Sequence, residues 1–318
     1  MAYVNGSAAT FADLKTAIEN AAVAAGWTLT SGILSKNGCF FQLIADSSGG
    51  YVQLRLHGGT GQSGSTLTGQ PASSIGVKMA SCAEQVMSFP ITYEIHSFTS
   101  PDEIYCVINY NSDFYQAVAF GISDIPGIGG TGAWFTGNLR SDVSLTGTGS
   151  TSSATRVHMS AGKDSCGSSP YSGMCCPFWF AQSNAGSNFT SYVHTGLDSV
   201  AWRVEGSVTA GSGLGGISYA AALLTALPNL SNQATVLVPV KAIAYRLDGG
   251  RTIVANPKNV RYMRLDNVVP GEIVSFGADQ WKCYPMLRKD STVRNGQNWT
   301  NGQAHTGTWG YAIKYTGS

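Results

Sequence analysis

From Ile91 onward the chain is written in short apolar runs, each closed by Gly, Asn, Asp or Pro. Ile91, Tyr93 and Ile95 alternate with Thr92, Glu94 and His96. A period of two puts the apolar set on one face of a strand and the polar set on the other. Ile104, Tyr105, Cys106, Val107 and Ile108 run without interruption, the pattern of a strand buried on both faces. Residues 115–120, 236–247, 251–254, 260–265, 272–276, 281–284 and 309–315 continue the series. Asp248-Gly249-Gly250 reads as a hairpin turn between two of them. Strands this many, this short and this regularly divided predict an antiparallel β-sandwich or jelly-roll-like domain over residues 71–318.

The start of the chain reads differently. Thr10 can cap a helix, with Asp13 as its capping-box partner. Phe11, Leu14 and Ile18 then share a helical face, Ala21, Ala22 and Ala25 extend it, and Gly26 stops it. Residues 40–45 and the alternating Val52, Leu54 and Leu56, set against Gln53, Arg55 and His57, predict a hairpin. Helix and hairpin form a small α+β unit. Residues 58–71 are almost pure Gly, Ser, Thr and Gln, and predict a flexible link. The expected division is therefore 1–70 and 71–318. A Cys- and aromatic-rich insertion at about 145–195 is bracketed by Gly/Ser/Thr tracts. One further short helix is predicted over 219–227, ended by Pro228.

Composition narrows function by exclusion. Charged residues are only 12 % of the chain, and Lys+Arg 19 against Asp+Glu 18 leaves a net charge of +1. There is no basic field to hold a nucleic-acid backbone. The most apolar windows, 217–227 and 236–245, are too short to span a bilayer. The first six residues have neither a basic start nor a long apolar run, so no secretion signal is expected. With 39 glycines in 318 residues and half the usual charge, the chain reads as a subunit whose surface is covered by neighbours.

Motifs for chemistry are weak. Residues 127–132 spell GxGxxG, but Ala133-Trp134-Phe135 directly after them is a poor helix start, so the glycines suit a loop crossing another backbone closely. Ser165 and Cys166 stand in a string that faintly resembles hydrolase nucleophiles, with His158 and His194 as the histidines in range. Asp102 and Glu103 are adjacent and read as a turn rather than a glycosidase pair. The seven cysteines contain no CxxC. Cys106 and Cys283 read as small buried hydrophobes. Cys166, Cys175 and Cys176 are the candidates for oxidation to disulfides outside the reducing cell, and, with His158 or His194, the weaker candidates for a metal. Trp134, Trp179 and Trp299 are the candidate surface or interface aromatics, with sugar stacking as their functional reading and core packing as the plainer one. No cofactor and no catalytic set are expected. Asn188 and Asn298 begin glycosylation triplets, which carry little weight without a secretion signal.

Several strings together carry a resemblance. They are residues 89–96, 104–110 and 114–121, the glycine loop 126–134, then 270–273, 279–286 and 306–313. Their layout resembles structural proteins of tailed bacteriophages and related prophages. The resemblance implies a non-enzymatic virion subunit of the tail or baseplate, partnered by copies of itself and other virion proteins. The alternatives it leaves open are a neck, collar or decoration protein, or a tail-tip module binding host-surface glycan.

Overall fold

The computed structural model describes residues 1–47, 52–72, 75–81, 86–141, 177–180, 190–205, 213–215, 221–228, 231–289 and 309–317. The fold is mainly β, with one long helix near the start. Among the described residues the largest sheet has ten strands. In spatial order they are Ala2–Ala8, Ile91–Thr99, Asp102–Tyr110, Phe114–Ile122, Ala133–Gly137, Ser191–His194, Trp202–Glu205, Gly213–Gly215, Ala242–Tyr245 and Arg251–Ala255. All neighbours run antiparallel except Trp202–Glu205 beside Gly213–Gly215.

A six-stranded sheet built around Cys39–Asp46, Gln53–Gly59 and Val77–Ala80 lies with the helix on one face of the large sheet. A five-stranded sheet of Val238–Pro239, Val260–Arg264, Trp309–Tyr315, Asp279–Pro285 and Ile273–Phe276 lies on the other. The large sheet thus carries a core on each side. Ile104, Cys106 and Ile108 point into the helix-side core, and Tyr105 and Val107 into the opposite one. That is why the strand is apolar at every position.

The helix Phe11–Ala24 forms as its caps dictate. The Asp13 amide donates to Thr10 Oγ1 at 3.1 Å, and the Thr10 hydroxyl donates to Asp13 Oδ2 at 2.9 Å. Gly26 takes φ +87°, which ends the helix and turns Trp27 inward against Phe41 and Phe120. The second helix, Ala221–Ala226, falls inside its predicted span.

Three expectations need correction. Residue 70 is not a structural boundary. Phe11, Leu14, Phe41 and Leu56 share one core with Ile91, Ile104 and Phe120, because the six-stranded sheet takes strands from both sides of it. The Gly/Ser stretch is not a loose link either. It forms a small hairpin, Gly61–Ser63 with Thr66–Thr68, whose backbone closes against Gly59 where no Cβ would fit. The predicted strand over 236–247 is split, since Val238–Pro239 joins the five-stranded sheet and Ala242–Tyr245 the ten-stranded one. Periodicity cannot reveal a corner at which a strand changes sheets.

Candidate functional site

A group of interacting polar side chains lies at the seam between the large sheet and the five-stranded sheet. Glu94 and His96 are two apart on Ile91–Thr99, so both leave the same face. Lys282 and Tyr284 repeat that spacing on Asp279–Pro285. Tyr3 sits opposite His96 in the ladder, and Tyr315 comes from the last strand. The Lys282 ammonium donates to Glu94 Oε2 at 2.7 Å and to the Tyr3 hydroxyl at 3.0 Å. It also lies over the rings of Tyr3 and Tyr315. The Tyr284 hydroxyl donates to Glu94, and His96 Nε2 is 2.8 Å from the same hydroxyl.

Electrostatics follow from this geometry. Burial, helped by the Lys282 charge, pushes His96 down to about 3, so it is a neutral imidazole at ordinary pH. Burial and the Glu94 charge push the Tyr284 phenol well above its usual value. Burial works against the charge on Lys282, but its bonds to Glu94 and Tyr3 outweigh that and raise it. Lys282, Glu94 and Tyr284 are bonded to one another, so the cluster ties the two sheets together. Sequence separations of 188 and 190 kept these pairs out of reach of local pattern reading.

The glycine loop behaves as its composition predicts. No helix comes after it, and residues 133–137 continue as a strand, so no helix N-terminus meets a phosphate. A Cβ on Gly130 would lie 2.6 Å from the Thr195 Cα, and one on Gly196 2.7 Å from the Gly129 carbonyl oxygen. The two backbones therefore cross with only hydrogen between them. His194 Nδ1 accepts from the Thr131 amide at 3.0 Å, which pins the loop. Burial lowers the His194 pKa and raises the nearby Cys39 thiol to about 11. Replacing Gly130 by Ala should cost about 1–3 kcal/mol in a urea melt, since neither backbone can yield. A wild-type midpoint would show that the crossing is looser than this.

Two predicted surface aromatics are internal. Trp134 and Trp179 are fully buried, with ring centroids 5.9 Å apart, so neither forms a sugar platform on this chain. Trp134 stands opposite Gly121, whose missing side chain makes room for the indole. Phe178, Trp179 and Phe180 drive into the same core. The amides of Phe178 and Trp179 donate to the Thr136 and Ser191 hydroxyls at 2.7 and 3.1 Å. Asp102 and Glu103 also need correction: they open a strand instead of a turn. Asp102 pairs with Lys36 at 2.6 Å. Glu103 is buried, accepting from Tyr105, Lys258 and Asn259, and its burial raises its pKa. As neighbours on a strand, the two carboxylates face opposite ways.

Cys39, Cys106 and Cys283 are buried free thiols. Trp299, Cys166, Cys175, Cys176, Ser165 and His158 lie outside the described residues. Among the described residues no group of three His, Cys, Asp or Glu is placed to hold a metal ion, and no helix is long and apolar enough to cross a membrane. Neither protein-family models nor curated protein sequences give a match to this chain.

Some of the exposed apolar side chains among the described residues sit on edge strands of the sheets. Among the described residues Ala2–Ala8 is one edge of the large sheet and carries no charged side chain. Its Val4 is 42 % exposed. Ile273–Phe276 is an edge of the five-stranded sheet, with Ile273 41 % and Phe276 61 % exposed.

Proposed function

We propose that this chain is a non-enzymatic structural subunit that works by repeated subunit contacts, in the tail or baseplate of a tailed-bacteriophage virion. The observation that carries the subunit reading is the pair of apolar, weakly charged edge strands. A free edge offers a row of unpaired amides and carbonyls, and monomeric proteins usually blunt it with Lys, Pro or a bulge. Ala2–Ala8 has none of these in its pairing with Ile91–Thr99. The low charge of the whole chain supports the same reading, because covered surface needs few charges. The layout resemblance supplies the virion context, and its natural partners are further copies of the chain and other virion proteins.

The subunit reading predicts self-association. The wild-type chain should form discrete oligomers in light scattering across a dilution series, and a Val4→Lys, Phe276→Lys double variant should shift at least tenfold toward monomer. A wild-type chain that stays monomeric throughout overturns the reading. Mass spectrometry of purified particles tests the virion context by presence and copy number, and absence of the chain from them overturns it.

A further inference from the structure

We propose that Gln53 and Lys78 react with each other to form an isopeptide cross-link between neighbouring strands, with Asp46 holding the nitrogen that leaves. Gln53–Gly59 and Val77–Ala80 pair antiparallel, with Gln53 opposite Ala80 and Arg55 opposite Lys78. Gln53 and Lys78 therefore leave the same face, one rung apart. Both are buried, and Lys78 Nζ lies 3.0 Å from Gln53 Oε1. With a C=O bond of about 1.2 Å, the amine nitrogen is within roughly 4.2 Å of the amide carbon, and the soft terminal torsion of Gln can turn the carbonyl face toward it. The Ser141 carbonyl accepts from the same ammonium at 3.3 Å and holds it over the strand pair.

The third group is Asp46, which faces Gln53 across the ladder on Cys39–Asp46. Its Oδ2 accepts from Gln53 Nε2, the nitrogen that must leave, at 2.9 Å. Arg55 holds that carboxylate in place through Nε at 2.8 Å. Burial alone would raise the Asp46 pKa, but the bonds from Arg55 and Gln53 outweigh it and lower it, so the group stays an anion and keeps its bond to the leaving nitrogen. A nucleophile, a carboxamide and a carboxylate on the leaving nitrogen are thus in contact, in a site where burial limits competition from water.

The step balances without any co-reactant. The Nζ–Cδ bond forms and the Cδ–Nε2 bond breaks. Nζ sheds two protons and the departing nitrogen gains two, so that nitrogen leaves as ammonium. Nothing is oxidised or reduced.

Intact mass measurement of the purified full chain, denatured and reduced, tests this. The expected mass is short by one ammonia, and proteolysis should release a branched peptide joining the segments that carry Gln53 and Lys78. Lys78→Arg should restore the full mass, and Asp46→Asn should lower the cross-linked fraction at least tenfold, with circular dichroism showing both variants folded. Wild-type chain at full mass overturns the proposal. So does an ammonia loss that persists in Lys78→Arg, which would place the loss elsewhere, or one undiminished in Asp46→Asn.

Discussion

Replacing Trp134 by Ala should lower stability by about 3–5 kcal/mol, the range for truncating a fully buried aromatic. The indole touches nothing that can move inward to replace it. It packs against Trp179 and Tyr105, at ring-centroid distances of 5.9 and 6.1 Å, and against the bare Cα of Gly121 on the paired strand. All of these are held by ladders or by the core around them, so a cavity should persist. Trp179→Ala should cost a similar amount by a second route. Phe178 and Trp179 take φ +66° and +54°, which bulky side chains rarely adopt. The segment stays there because its rings are buried and its amides are bound by Thr136 and Ser191. Removing one ring leaves that backbone strain with less to offset it. Urea denaturation of each variant against wild type measures the loss. A loss under about 1 kcal/mol at either position, the scale of surface substitutions, would mean that the residue is not core and would restore the surface reading.

Stability should fall steeply in mild acid, and His96 should account for much of the slope. In the unfolded chain this imidazole takes a proton near its ordinary value of 6.5; in the fold it resists until about 3. Its folded pKa is depressed, so its contribution is complete above 6.5 and is lost as pH falls toward 3. At about 1.4 kcal/mol per pH unit, the loss is on the order of 5 kcal/mol over that window. His194, lowered by burial, adds to the same trend. Glu103 opposes it, because burial raises its pKa and its protonation relieves a buried charge. The measurement is the unfolding free energy from about pH 8 to about pH 3 for wild type and for His96→Gln, which keeps a donor for Tyr284 but cannot titrate. The variant should be flatter across the window. Parallel profiles would refute the assignment of the slope to His96.

The seam explains why one histidine matters so much. Tyr284 bridges His96 and Glu94, and Glu94 carries Lys282, which in turn holds Tyr3. A proton on His96 would face the Lys282 charge in a site with little water to screen it. The first strand, the central sheet and the last strands would lose their shared polar contacts together.

Strand identity was legible in the sequence wherever alternation was clean. Ile91, Ile95 and Leu54 reach the core as their period demands. Polar members of the same patterns were not legible. His96 and His57 alternate with apolar residues and should face water, yet both are buried, His96 because the five-stranded sheet covers its side of the large sheet. The aromatics are internal for the same reason. A tryptophan among glycines looks exposed until the neighbouring strand shows that a glycine was making room for it, as Gly121 does for Trp134.

Local sequence was enough for the mainly β class, the capped helix with its Gly26 stop, the hairpin at residues 248–250, and a close backbone crossing at the glycine loop. Each rests on contacts within a few residues or on the conformational limits of one residue, and those are encoded locally. It took the packed layers to establish that residues 1–70 share a core with the rest, that the large sheet is covered on both faces, and that Tyr3 meets Lys282. Those outcomes depend on which strands pair and which faces stack. Alternation records that a residue has an inner face, and the assembled layers set what lies there.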